Sequence, residues 1–213
     1  MSTTQFLQVA SITTALLAAG GIATLSIFDV PLLQSQPASR SLPMTRWLFS
    51  RGSHIFPTAA LITSTSFAVL ASKSLAPGST HTWRIFLKSV QRGSTPWYIA
   101  AAALTISIGP FTTFVMIPTN FRLIELNEAL GGARSARSAV EGEEKEGGKS
   151  AEESVSGEGD VNQFRDLSGP QERTTMDSSA AQDREVRELL GKFKGLNWVR
   201  AVLMGVGGVV GLV

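Results

Sequence analysis

Four stretches of this chain, Phe6 to Phe28, Ile55 to Ala76, Trp97 to Ile117 and Leu196 to Val213, are apolar and almost free of charge. Each approaches or exceeds the roughly 20 helical residues needed to cross a bilayer's hydrocarbon. Their length and apolarity predict membrane-spanning helices. They are built from Ala, Gly, Ser and Thr more than from Leu and Ile, as in Ala18-Ala19-Gly20-Gly21 and Thr63-Ser64-Thr65-Ser66. Small residues let helices approach closely, and hydroxyls can bond carbonyls across the contact. The fold class expected is all-α, a four-helix transmembrane bundle. The first span lacks a basic leader and three more spans follow, so it is expected to be retained rather than cleaved as a signal peptide.

The segments between the spans differ in kind. Residues 1–130 hold the first three spans with their connecting loops. Residues 131–183 are rich in Gly, Ser and Glu, including the run Glu141-Gly142-Glu143-Glu144-Lys145-Glu146. Low hydrophobicity with dense charge does not offset the entropy of ordering, so this acidic loop is expected to be disordered. Recruitment of a partner is its functional alternative. Residues 184–213 begin with Val186, Leu189, Leu190 and Phe193 at helical spacing, which predicts a short interfacial helix leading into the last span.

Charge fixes an orientation. Only Asp29 is acidic before Glu125, against eight basic residues, so the overall net charge of +2 conceals a basic first part. Arg40, Arg46, Arg51, Arg122, Arg134, Arg137, Arg187, Lys192 and Lys194 flank spans on the side of loops one and three, whereas Arg84, Lys88 and Arg92, with Lys73 nearby, lie on the other. Basic residues near span ends stay in the cytosol. Loops one and three are therefore expected to face the cytosol, from an endomembrane that suits hydrophobic intermediates. No basic run with interleaved aromatics follows a phosphate backbone, which argues against nucleic acid. The chain has no cysteine, which excludes disulfides, thiolate metal sites, iron-sulfur clusters and a cysteine nucleophile. Two histidines, His54 and His81, are too few for a histidine-rich metal site.

The unusual polar residues gather at span ends on the loop-one and loop-three side. Asp29 and Pro31 end the first span, Arg51-Gly52-Ser53-His54 opens the second, Pro118-Thr119-Asn120 closes the third, and Asn197-Trp198-Val199-Arg200 begins the fourth. Arg200 lies about one turn inside its span, where a charge is costly unless paired or watered. The plainer reading of each is an interfacial residue, a helix terminator or part of an aromatic belt. His81, in the opposite loop, reads as solvated.

The runs Asp29-Val30-Pro31-Leu32-Leu33, Trp47-Leu48-Phe49-Ser50-Arg51-Gly52, Met116-Ile117-Pro118-Thr119-Asn120 and Leu196-Asn197-Trp198-Val199-Arg200, in this order between these helices, resemble the anthrone oxygenase family of small membrane proteins. The resemblance covers the four spans and their flanks, and the long acidic loop departs from it. It implies a membrane-bound oxygenase of fungal aromatic polyketide pathways that converts an anthrone to an anthraquinone with O2, without metal or flavin. The substrate implied is a flat aromatic polyketide, and the lipid bilayer is the other partner expected. The acidified methylene of an anthrone needs a base, donors for the enolate and an apolar slot. His54 is the expected base, Arg51 and Arg200 the enolate stabilisers, and Asn120 a donor in the catalytic set. Trp47, Asn197, Trp198 and Asp29 are the expected substrate-binding residues. A membrane scaffold without catalysis is the alternative. A small transporter is disfavoured because the spans carry no paired carboxylates.

The absence of native cysteine makes the orientation directly testable. Ser156→Cys should react with a membrane-impermeant maleimide in intact microsomes, and Thr80→Cys only after permeabilisation. The reverse pattern would invert the topology.

Overall fold

The computed structural model describes residues 1–75, 91–142 and 149–213. His81, Arg84 and Lys88 lie outside the described residues, as do Glu143, Glu144, Lys145 and Glu146 of the acidic run. Regular structure among the described residues is helical throughout. In chain order it comprises α1 (Thr3–Thr24), α2 (Val30–Gln34), α3 (Ala38–Ser74), α4 (Thr95–Ile106), α5 (Ile108–Phe111), α6 (Ile117–Ala129), α7 (Ala136–Glu141), α8 (Ala151–Ser156) and α9 (Ala180–Val210).

Two wide π-helical turns, Leu25–Asp29 and Thr112–Met116, join α1 to α2 and α5 to α6. Each is followed two residues later by a proline, Pro31 and Pro118. A proline inside a helix has no N–H to donate and its ring presses on the carbonyl four residues back. Those carbonyls belong to Ile27 and Phe114, which lie in the wide turns, where the altered backbone spacing accommodates the ring. The helices therefore continue through both prolines.

Three continuous helical stretches, Thr3–Gln34, Ala38–Ser74 and Thr95–Ala129, are long and apolar enough to cross a membrane. Little of their most apolar windows, between 22% and 33%, is buried within the protein. The fourth expected span falls in the last part of α9, where Asn197 and Arg200 interrupt an already short apolar run. It is not among these three, and the expected interfacial helix is continuous with it.

The chain forms two compact units. The first comprises Met1–Ala23, Phe56–Thr112 and Trp198–Val213. Its exterior carries large apolar side chains such as Phe6, Leu17, Leu61 and Ile62, all more than half exposed. Small and hydroxylated residues are buried, among them Ala15, Ala60, Thr63, Ala101 and Thr105. This inversion of a soluble protein's distribution is that of an integral membrane protein. Ala15, Ala18, Ala60, Ile108 and Met204 form one core, drawn from α1, α3, α5 and α9. Ile12, Phe67, Leu70, Tyr98 and Ala101 form another, with the Phe67 and Tyr98 rings stacked at 6.4 Å. Glycines of α9 permit the closeness. A Cβ on Gly207 would lie 2.7 Å from Thr105 Cγ2, and one on Gly208 would lie 3.0 Å from Ala15 Cβ.

The second unit comprises Thr24–Ile55 and Thr113–Asn197. Residues 131–142 and 149–183, where composition predicts disorder, carry α7, α8 and turns tied to the helices by hydrogen bonds. Thr174 donates its N–H to the Ser39 carbonyl, and the Asp183 carboxylate accepts from Ala38 N–H at 2.7 Å, satisfying a donor at the start of α3. The difference has a physical cause. The ordering comes from polar side chains on α3, and the loop's own low hydrophobicity carries no record of them.

Gly207→Val should therefore destabilise the protein by about 1–3 kcal/mol, the usual range for overpacking. Gly20→Ala, whose Cβ meets nothing within 4 Å, should change little. Thermal unfolding in detergent, with both variants side by side, measures the difference.

Candidate functional site

A cleft of about 620 Å³ opens in the second unit. Its volume lies within the roughly 300–1,000 Å³ of small-molecule sites. Asp29, Leu32, Leu33 and Gln36 line it from the end of the first wide turn, α2 and the residues just after it, and Arg40, Met44, Trp47 and Leu48 line it from α3. Both sets follow the i, i+3 or i+4, i+7 spacing of one helical face. Pro170, Glu172 and Arg173 line it from the long loop. Leu32, Leu33, Met44, Trp47 and Leu48 offer an apolar surface, and charges of both signs accompany it.

Asp29 and Trp47, both expected at a substrate site, thus share the cleft. Asp29 is half-buried, and its carboxylate takes no hydrogen bond or ion pair among the described residues. The Trp47 indole N–H donates to the Ser168 carbonyl at 3.0 Å, which fixes the ring plane. Arg51 lies beside it, its guanidinium 5.5 Å from the Trp47 ring centroid. Arg51 Nη1 donates to the Gln163 carbonyl at 3.0 Å and Nη2 to the Ser168 carbonyl at 3.3 Å. Two of its donors are therefore committed to holding the loop.

A buried polar network continues this clasp. Arg46, one residue before Trp47, donates through Nη2 to the Ser154 carbonyl and through Nε to Ser154 Oγ, which donates to Glu128 at 2.6 Å. Arg134 pairs with Asp160 at 3.3 Å and donates to the Val161 carbonyl. Asp166 is almost fully buried. Burial opposes ionisation of its carboxyl, but hydrogen bonds from Ser135 and Ser168 and the charge of Arg51 outweigh that and hold it below the usual carboxylate range.

The remaining expected residues lie elsewhere. His54 packs against the Phe164 ring at 4.5 Å, and its buried Nε2 has no hydrogen-bond partner among the described residues. The same holds for Asn120 Oδ1. Asn197 is fully buried and donates to the Phe193 carbonyl one turn back in α9. None of these three lines the cleft. Arg200 and Trp198 belong to the first unit. There Arg200 is buried with its guanidinium 5.7 Å from the Phe56 ring centroid, and Trp198 is exposed on the outer face of α9.

Sequence reasoning missed Arg40, Gln36, Glu172 and Arg173 as lining residues. The shared helical faces of positions 29, 32, 33 and 36 and of 40, 44, 47 and 48 were a usable signal for the first two. Nothing local marks Glu172 and Arg173, because their placement depends on the side chains that grip the loop.

The family model described as Anthrone oxygenase matches residues 46–210. Anthrone oxygenase AgnL2 of Paecilomyces divaricatus is 28% identical over 131 residues, covering 61% of this chain and 71% of that protein. Anthrone oxygenase encC of Aspergillus fumigatus is 29% identical over 212 residues, covering 97% of this chain and 90% of that protein. No solved structure matches the chain.

The Asp166 clasp should respond to pH. Because its folded carboxyl ionises at lower pH than the unfolded one, its stabilisation is complete above about pH 3.9 and is lost as pH falls through the folded value. Hydrogen exchange of residues 163–168, corrected for intrinsic rates, should be unchanged between pH 7 and 5 and faster near pH 3. Asp166→Asn should show the faster exchange at pH 7, by about five-fold for each 1 kcal/mol lost.

Proposed function

Since the chain belongs to the anthrone oxygenase family, we propose that it is a membrane-bound oxygenase that converts an anthrone to an anthraquinone with O2 in aromatic polyketide biosynthesis, without a metal or organic cofactor. The observation that carries this reading is the 620 Å³ cleft, in which a clamped indole, aliphatic side chains and a carboxylate share one lining. The names of the two relatives support the same reading.

Each part of the cleft answers a need of the reaction. A tricyclic anthrone is flat and mostly apolar, and the Trp47 indole with Leu32, Leu33, Met44 and Leu48 offers surface for its rings. Its phenols and carbonyl need donors at the edge, and Gln36, Arg40 and Arg173 lie on the same lining. Removing a methylene proton leaves an anion delocalised over the carbonyl and both rings. Such an anion reduces O2 by itself, so the protein's contribution is to take the proton, stabilise the negative oxygen and hold the rings. His54, Arg51, Asn120, Asn197, Trp198 and Arg200 line no part of this cleft. On this reading, those described in the second unit support its framework.

Membranes containing the protein should convert a hydroxylated anthrone such as emodin anthrone to its quinone above the spontaneous rate. The conversion should require O2 and persist with a chelator. Trp47→Ala at matched abundance should lower kcat/KM at least ten-fold. No excess conversion across several anthrones would overturn the reading. Loss of conversion with chelator would overturn its cofactor independence.

A further inference from the structure

We infer that Asp29 is the base that removes the substrate's methylene proton, an inference that rests on the cleft being the oxygenase site. A general base has to reach the proton it takes, so position comes before any other property. His54, the natural candidate by residue type, is not on the lining and has its ring against Phe164. Two carboxylates are on the lining, Asp29 and Glu172.

Asp29 differs from Glu172 in how it is held. Glu172 is exposed and lies on an irregular stretch of the loop. Asp29 is half-buried at the last position of a π-helical turn, with the helix continuing on both sides of it. The turn is itself anchored, because Ser26 is fully buried and its hydroxyl donates to the Lys194 carbonyl of α9 at 3.0 Å. Five residues after the turn's end, Gln34 Nε2 donates to the Arg187 carbonyl of the same helix. The backbone that carries Asp29 is therefore pinned to α9 on both sides. Wide turns of this kind occur disproportionately at functional sites. With no hydrogen bond or ion pair to another described residue, the carboxylate keeps its lone pairs for a ligand. It shares the lining with Trp47 against a ring face and with Arg40 to stabilise a negative oxygen.

The chemistry balances around this one group. Asp29 takes the first methylene proton, breaking a C–H bond and leaving the ring anion. The anion passes one electron to O2, and the carbon radical and superoxide combine to form a C–O bond. The peroxide takes the proton back from Asp29. The carboxylate then removes the second proton from the same carbon as the O–O bond breaks, and the electron pair of that C–H bond becomes the new carbonyl. Hydroxide leaves and takes the proton from Asp29. Both methylene hydrogens end in one molecule of water, one oxygen atom stays on the substrate, and Asp29 finishes as it began.

Anaerobic deuterium exchange isolates the proton step from the oxygen step. The full-length protein in lipid nanodiscs, without O2 and in D2O, should accelerate exchange of the methylene hydrogens of emodin anthrone. Asp29→Asn should lower that acceleration at least 100-fold while equilibrium binding of the product quinone, read by quenching of tryptophan fluorescence, stays within three-fold. Asp29→Glu should restore part of the exchange. Wild-type oxidation together with undiminished exchange in Asp29→Asn would overturn the inference and leave the oxygenase reading standing. Absence of wild-type oxidation would overturn the reading itself. If Asp29→Asn fails to accumulate, Asp29→Glu decides the matter. A lowered but measurable exchange upholds the inference, and an unaltered rate overturns it.

Discussion

The described parts of the long loop, residues 131–142 and 149–183, contain few large apolar side chains, so their order has to come from donors supplied by another part of the chain. Those donors cluster in six residues of α3. Arg46, Trp47 and Arg51 reach the carbonyls of Ser154, Ser168 and Gln163. Each such bond contributes about 1 kcal/mol net, and more where the donor is charged. Breaking one leaves a buried guanidinium or carbonyl unsatisfied, which costs more than the bond contributes. The cleft depends on this clasp because one wall of it is the loop.

In the first unit the same problem is solved by closeness instead of polarity. Lipid does not drive helices together as water does, so contact has to come from fit. Alanines and glycines let α9 lie against Ala15 and Thr105, and hydroxyls turn inward to carbonyls of their own helix, as Thr105 does to Ala101 at 2.9 Å. Many bulky side chains, Phe6, Leu17, Leu61 and Ile62 among them, are left for the lipid. The first unit thus packs small residues at its helix contacts around a few large ones such as Phe67 and Met204, while the second is held together by charged and polar groups around its cleft.

These two logics explain what the sequence revealed. The apolar stretches and their small residues were visible because membrane burial acts on runs of residues that are neighbours in the chain. Asp29 and Trp47 were visible as members of a family spelling. The order in the loop's described parts was invisible because partners there lie more than a hundred residues away, as Arg51 and Gln163 do. His54 attracted attention for its chemistry, and residue type says nothing about which wall a side chain faces. Arg51 likewise has the right charge for an oxyanion, but two of its donors are already in use.

The clasp on the loop takes hold mainly of backbone. Carbonyls of Ser154, Val161, Gln163 and Ser168 are present whatever side chain those positions carry. A contact of that kind is blind to the letters of the loop but not to its length, since adding or removing one residue moves every carbonyl past its donor. Between Ser154 and Ser168 substitutions are therefore cheap wherever the side chain takes no part in the clasp, unlike at Asp160 and Asp166, and insertions are not. Drift at Pro170, Glu172 and Arg173 would then change the wall of the cleft without loosening the hinge that holds it, which gives one scaffold a route to new substrates.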